Sequence, residues 1–451
     1  MSIELRDYQE DLYRKAQDAL RDKATTRVLV VAPTGAGKSY LFMAMAERAA
    51  LKGKVLVLVH RFELLEQHVN EFRKNGIPMD NITVASVQSV YRHLDQYEDV
   101  SLVIADEAHL FKASTFQATI DHLSANGAFV VGFTGSPVRL DGKPLGDVFQ
   151  KMVQGVDTRY LIEHKRLCPY EYYAPLAVDV SQLKKRGGDY ATEDVENIME
   201  PAIYGRVIEE YKRLCPNKQA IAFCCSIKHS QQVADQFAEA GIMAAHLDGN
   251  TPKKERKAIM ERFRAGEIQV LTNCSLISEG LSVDGVGAVL LLRPTASLAL
   301  HLQMVGRGLR YQEGKVCTII DAVGAYTRFG LVDDKREWSL TAPVKPHKEH
   351  NEDGTFAVRQ CPFCYKVFPT KAVCPFCGEE YPLTPREIKA IEEVELKKIT
   401  EAEVRKEEER KALLKEDIKN ARCAADFFEI AKKNGYSQGW AFKRAKLRGY
   451  L

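Results

Sequence analysis

Residues 28–39 read Val28-Leu-Val-Val-Ala-Pro-Thr-Gly-Ala-Gly-Lys-Ser39. Four consecutive apolar residues, three of them β-branched, predict a short strand buried on both faces. Pro33, Thr34, Gly35, Ala36 and Gly37 then supply a turn, and Lys38-Ser39 opens a stretch rich in Ala, Met and Leu that predicts a helix. The two glycines let backbone N–H groups approach phosphate oxygens, and the helix N-terminus adds a favourable dipole. Lys38 suits the β and γ phosphates of ATP, and Ser39 suits Mg²⁺. The strict pattern begins with Gly, whereas Ala32 stands at that place here. Residues 33–39 are therefore the candidate nucleotide-binding segment.

Working outward, the strand is one of a set. Val28–Val31, Val55–Val59, Ile82–Ala85, Leu102–Ala105 and Phe129–Gly132 are short apolar runs separated by amphipathic stretches. That alternation predicts a parallel sheet covered by helices on both faces. After a Gly187-Gly188 break the pattern returns at Ala220–Phe223, Ala244–Leu247, Gln269–Thr272, Ala288–Leu292 and Val316–Ile320. The expectation is two successive α/β domains, residues 1–170 and 171–345.

The chain's 451 residues fit two to four domains of roughly 100–200 residues each. With 45% hydrophobic and 28% charged residues, it is neither disordered nor collagen-like. It contains no apolar run long enough to predict a membrane span. The charged residues among Met1–Glu10 do not resemble a signal peptide, so a cytoplasmic protein is expected, in a bacterial or phage-infected cell. The net charge of +3 leaves nucleic acid to be argued from local features.

Residues 102–109, Leu-Val-Ile-Ala-Asp-Glu-Ala-His, place two carboxylates at a strand end. Asp106 suits Mg²⁺, and Glu107 suits a base that orients and deprotonates water. Phosphoryl transfer needs both a metal clamp and a water positioner.

Asp106-Glu-Ala-His109 resembles the DEAH form of motif II in superfamily 2 helicases and translocases, and other motifs follow in family order over residues 5–321. The resemblance implies two tandem RecA-like domains. Leu5-Arg-Asp-Tyr-Gln9 resembles the adenine-reading Q motif, implying base contacts from Arg6 and Gln9. Val59–Gln67, Ala85–Ser89 and Ala222–Ser226 resemble motifs Ia, Ib and IV, implying nucleic-acid contacts at Arg61, Gln88 and Ser226. Gly132–Pro137 resembles motif III, with Thr134 and Ser136, alongside His109, implied in coupling the phosphate site to the DNA path. Leu271-Thr-Asn-Cys274 and Ser278-Glu-Gly-Leu281 resemble motif V, implying a strand contact at Thr272 and a nucleotide contact at Gly280. Ser282 stands there in place of the family's Asp, and Asp284 follows. Gln303-Met-Val-Gly-Arg-Gly-Leu-Arg310 resembles motif VI, implying that Gln303, Arg307 and Arg310 reach the γ-phosphate from the second domain. Within the superfamily the resemblance is to RadD-like and phage-encoded helicases, through Arg293-Pro-Thr-Ala-Ser297, Val305–Arg310 and a cysteine module after the motor.

That module is Cys361-Pro-Phe-Cys364 and Cys374-Pro-Phe-Cys377. Two CxxC knuckles predict one Cys₄ zinc ribbon, residues 346–382, with Zn²⁺ in a closed structural shell. Residues 386–420 hold 10 basic and 11 acidic residues, and a charged helix is expected over 383–420. Residues 421–451 hold seven Lys/Arg, two acids and six aromatics, suiting either nucleic acid or a small core of Phe427, Phe428 and Ile430 beside Trp440.

These features predict an ATP-driven helicase or translocase acting on single-stranded, forked or branched DNA, in repair or a phage process. RNA is the alternative polymer. The charged helix or the ribbon could take a protein partner. The alternative functions are a nucleotide-switched binding protein and the motor subunit of a restriction or defence complex.

Overall fold

The computed structural model describes residues 3–60, 62–111, 113–139, 141–174, 183–186, 189–190, 195, 201–274, 285–342, 358–371, 373–380, 417–418, 420–434 and 438–450. The described residues fall into two compact units, one within 1–349 and 357–370, the other within 350–356 and 371–451.

The first unit contains two parallel six-stranded sheets. In the first sheet, β1 (Arg27–Val31), β2 (Lys54–Val59), β3 (Ile82–Ser86), β4 (Val100–Ala105), β5 (Phe129–Thr134) and β6 (Lys151–Gln154) lie in the order β3-β2-β4-β5-β1-β6. Helices α1 (Asp7–Arg21), α2 (Lys38–Ala50), α3 (Phe62–Lys74), α4 (Val87–Arg92), α5 (Ala113–Ala125) and α6 (Thr158–Glu163) accompany it. Val28 to Val31 are buried, as a sheet covered on both faces requires.

The second sheet consists of β7 (Tyr170–Tyr173), β10 (Ala220–Cys224), β11 (Ala244–Leu247), β12 (Val270–Asn273), β13 (Ala288–Leu292) and β14 (Cys317–Asp321), ordered β11-β12-β10-β13-β14-β7. A two-strand pair, β8 (Lys185–Arg186) and β9 (Asp189–Tyr190), precedes β10. The helices here are α7 (Pro201–Leu214), α8 (Ile227–Glu239), α9 (Lys253–Arg264), α10 (Leu298–Gly306) and α11 (Ala325–Phe329). β1 is flanked by β5 and β6, and β10 by β12 and β13, so neither is an edge strand.

One apolar cluster runs continuously from Leu41, Phe42 and Phe72 of the first sheet's helices through Leu167 to Ile221, Leu290 and Val305 of the second domain. After α11 the chain returns to the first domain. Trp338 and Leu340 pack on its second cluster, beside Leu145 and Phe149, and the Leu340 carbonyl accepts from Gly146 N at 2.8 Å. A β-carbon on Gly146 would lie 2.3 Å from that carbonyl oxygen, so the crossing requires glycine there.

Beyond the motor, β15 (Val358–Gln360) and β16 (Val367–Pro369) form a hairpin. It is stitched to the edge strand β7: Ala174 N donates to Tyr365 O at 3.0 Å, and Lys366 pairs with Glu171 at 2.7 Å. The second unit contains α12 (Ala424–Asn434) and α13 (Gln438–Leu447), packed around Phe427, Ile430 and Ala441. Phe428, expected in this core, is instead 38% exposed, because it follows Phe427 directly and points off the buried face. The side chain of Trp440 and nearly all of the charged stretch 383–420 lie outside the described residues.

Candidate nucleotide and nucleic-acid site

The turn between β1 and α2 is built around Gly35 (φ +85°) and Gly37 (φ +79°), both left-handed. A β-carbon at Gly37 would lie 2.4 Å from Gln9 Nε2, so glycine is needed for space as well as for conformation. Gln9, 5% exposed, locks this turn: its amide donates to Ala36 O (3.1 Å) and Gly37 O (3.2 Å), and its carbonyl accepts from Arg6 N at 3.0 Å. Both amide protons are thereby spent on the loop. Gln9 thus braces the turn between β1 and α2, at the position where the family resemblance implies a base contact. Arg6 is exposed and reaches the Tyr8 hydroxyl at 3.3 Å, and Tyr8 in turn donates to Ala36 O.

Lys38 is buried to 9% exposure, with Nζ 3.6 Å from Glu107 Oε1 and 3.4 Å from Ala32 O. Asp106 directly follows β4 and is 8% exposed. Its Oδ1 accepts from Glu107 N at 3.0 Å, and its Oδ2 meets His68 Nε2 at 2.9 Å. Burial would raise the Asp106 carboxyl, but the His68 bond and charge, with Lys38, hold it below the usual carboxylate range. His68 is the counterpart. Burial alone would lower it, yet the bonds and charges of Asp106 and Glu71 outweigh that and raise it.

Glu107 sits in a left-handed conformation (φ 47°), which a residue with a β-carbon adopts only when its surroundings compel it. Its Oε2 is buried, 3.5 Å from His109 Nδ1, and takes no hydrogen bond from the described residues.

His109 joins three motifs. Its Nδ1 lies 2.8 Å from Thr134 Oγ1, and its Nε2 lies 2.9 Å from Gln303 Nε2 of α10, in the second domain. Thr134 spends its own proton on Ser136 O at 2.8 Å, so it accepts from His109 Nδ1–H. His109 Nε2 is then unprotonated and accepts from the Gln303 amide. Burial, reinforced by Lys38, lowers His109, in keeping with this neutral tautomer. Gly306, at the end of α10, packs against Thr34, and a β-carbon there would approach Thr34 to 2.7 Å. Arg307 follows. Burial and Arg310 push its guanidinium down to about 10, opposed by the charge of Glu107, so it stays cationic at neutral pH. Arg310 is half-buried, and its backbone bridges to Leu167. A cavity of about 550 Å³ adjoins this junction, lined in part by Thr34, Gly135, Tyr160, Gly306, Arg336 and Trp338.

The residues present fit ATP and Mg²⁺: a glycine cradle, a helix N-terminus, one lysine, and hard oxygen donors from Ser39 and an ionised Asp106. They also fit zinc. The ligand atoms of Cys361, Cys364, Cys374 and Cys377 lie within 4.8 Å of one another. Tetrahedral Zn–S bonds of about 2.3 Å imply sulfurs about 3.8 Å apart. Backbone N–H groups of Phe363 and Cys364 donate to Cys361 Sγ at 3.4 Å. Tyr365 (φ 62°) and Gly378 (φ 76°), each just past the second cysteine, repeat one left-handed turn in both knuckles.

Residues 2–139 match the family model "Type III restriction enzyme, res subunit", and residues 206–312 match "Helicase conserved C-terminal domain". A "51.5 kDa protein" of Lactococcus phage (isolate 7-9) is 35% identical over 370 residues, covering 82% of this chain and 81% of that protein. The chain belongs to the superfamily 2 helicases. "DNA 3'-5' helicase XPB" of Mycobacterium tuberculosis is 28% identical over 344 residues, 68% of this chain but only 58% of that helicase. Among solved structures, the "ATP-dependent Type ISP restriction-modification enzyme LlaBIII bound to DNA" shares the fold at a TM-score of 0.52 and 19% identity, covering 71% of this chain and 28% of that one.

The helicase motifs expected to meet nucleic acid are placed unevenly. Gln88 is exposed in the first turn of α4. Ser226 is half-buried and caps α8, accepting from His229 N at 3.1 Å. Thr272 is placed differently from Gln88 and Ser226. It is fully buried, and its hydroxyl donates to Ser230 O at 2.8 Å and accepts from Ser230 Oγ at 3.0 Å, so it presents no atom to a strand. Arg61, Gly280 and the rest of 275–284 lie outside the described residues. His68 and Glu71 were not singled out in the sequence. The signal was their His-x-x-Glu spacing, which puts both on one face of α3.

Proposed function

We propose that this helicase couples ATP hydrolysis to movement along DNA. The observation that carries the reading is the His109–Gln303 bond between the two domains, beside Gly306 on Thr34. Lys38 and the N–H groups of the glycine turn bind the β and γ phosphates. Ser39 and Asp106 would hold Mg²⁺, which neutralises phosphate charge when bound. Glu107 Oε2, a buried acceptor with no hydrogen bond from the described residues, takes the proton of the attacking water. Arg307 stabilises charge developing on the γ-phosphate, with Arg310 behind it. His109 reports the state of the site to Thr134 and Ser136 on one side and to α10 on the other.

Strand contacts fall to Gln88 and Ser226, and to Arg61 by the family resemblance. A row of such phosphate contacts favours domain closure, which completes the site. Single-stranded, forked or branched DNA is the substrate class proposed. Zn²⁺ held by the four cysteines staples the ribbon. No helix among the described residues is long and apolar enough to cross a membrane.

A second reading draws on the description of the matched amino-terminal family model: the chain serves as the motor of a restriction assembly, with cleavage supplied by a partner. ATPase assays with single-stranded, duplex and forked DNA and with RNA test the main proposal. Stimulation by DNA is expected, and a rate indifferent to all four polymers sinks it.

A further inference from the structure

Asp106 is asked to do two things that conflict. A metal-binding carboxylate must be ionised and correctly aimed, yet this one is 8% exposed. A buried carboxylate needs a donor at each oxygen to remain ionised and fixed. The backbone supplies one, Glu107 N to Oδ1 at 3.0 Å. The other comes from outside motif II, from His68 Nε2 to Oδ2 at 2.9 Å. The imidazole cannot swing away. Its side chain is 3% exposed, Phe42 stands edge-on to it at 5.0 Å and 90°, and Glu71 Oε2 lies 3.5 Å from its Nδ1 on the opposite edge. Phe42 is itself fully buried in α2, the helix that begins with Lys38 and Ser39. One ring therefore ties the helix of the phosphate loop, the carboxylate at the end of β4, and α3.

We propose that His68 is a positioning residue of the metal–nucleotide site: its Nε2–H fixes Asp106 Oδ2, so that the carboxylate meets a Mg²⁺ ion held by ATP and Ser39 without reorganising. The inference rests on the nucleotide site described above. Donors behind a metal ligand act on the metal and not on the nucleotide alone, typically by about 10–100-fold in metal affinity. Without His68, Oδ2 loses its donor, and the buried carboxylate must turn toward whatever donor remains.

The test is the gain that Mg²⁺ gives to binding of a fluorescent, non-hydrolysable ATP analogue, measured by titration in Mg²⁺ and in EDTA on the full chain. Two variants separate position from mere polarity. A glutamine amide reaches the place of a histidine Nε2, whereas an asparagine amide reaches only the place of Nδ1. His68→Asn should lose the Mg²⁺-dependent gain by about tenfold or more, with affinity in EDTA changed less than about twofold. His68→Gln should recover most of the gain. Equal behaviour of the two variants, or an undiminished gain in His68→Asn, overturns the role of His68. A loss shared equally between Mg²⁺ and EDTA also overturns it, since the damage is then to the pocket. Failure of the nucleotide-site reading is distinct: the wild-type protein itself would show no Mg²⁺-dependent gain, and both claims would fall together.

Discussion

The Gln303 amide of the second domain donates to His109 Nε2 of the first at 2.9 Å, and His109 passes the connection to Thr134 at 2.8 Å. The direction of each bond is set by the one proton that Thr134 commits to Ser136. Two sheets joined by one continuous apolar cluster thus also share a polar contact at the place where the phosphate chemistry is expected. Coupling between sites through such a contact is commonly worth about 5–150-fold.

Gln303→Ala should therefore keep ATP binding but lose part of the stimulation by DNA, by about tenfold, within that range. Basal turnover should fall less. Paired ATPase measurements with and without DNA would decide, and equal loss in both would place Gln303 in the chemistry alone.

Glu107→Gln should bind ATP with nearly unchanged affinity and turn over about 10²–10⁴ times more slowly, the range for loss of a positioned base. The amide keeps the shape and removes proton affinity. Single-turnover hydrolysis at the wild-type rate would remove this role.

How much of this was legible beforehand depended on burial. Val28–Val31 and Ala288–Leu292 read as strands because both faces are covered, so every residue is apolar. The edge strands Lys151–Gln154 and Tyr170–Tyr173 did not, since each has one exposed flank and a polar residue at its centre or end. Each motif named a neighbourhood without the side-chain direction within it. Thr272 lies in the expected strand, but its hydroxyl is turned into the core and spent on Ser230. His68 escaped notice for the opposite reason. It sits within a helix, and its partner Asp106 is 38 residues away and becomes a neighbour only when α3 packs beside β4.

The zinc ribbon should bind one Zn²⁺ per chain through Cys361, Cys364, Cys374 and Cys377. Binding and local folding are linked in such knuckles. Cys374→Ser should lose the metal and raise protease sensitivity around residues 358–380, while nucleotide binding by the motor persists. Metal analysis beside limited proteolysis checks both, and a stoichiometric zinc content in Cys374→Ser would contradict the ligand set.

His301 predicts a pH dependence. Its ring is fully buried, stacks on Phe329 at 4.9 Å, and makes no hydrogen bond at either nitrogen among the described residues. Burial, then Arg336 and Arg328, push it down to about 3. The unfolded chain takes up this proton near pH 6.5 and the folded chain near pH 3, so stability rises with pH across that window and is lost as pH falls through it. The slope from this one group is at most about 1.4 kcal/mol per pH unit. His301→Leu should show a shallower loss in urea melts between pH 6.5 and 5, with no penalty at pH 7.5. An unchanged slope would show that His301 is not the group responsible.

If the active site is completed from the second domain, Arg307 is the residue whose loss should show it. The measurement is DNA-stimulated ATPase of Arg307→Ala set beside its DNA affinity without nucleotide, at one fixed salt concentration. The expected result is a stimulated rate lower by about 10³-fold or more, with DNA affinity unchanged, because this half-buried guanidinium interacts with Glu107 and Arg310 and serves the γ-phosphate. Retention of the stimulated rate, or loss of DNA binding in step with it, would contradict the claim.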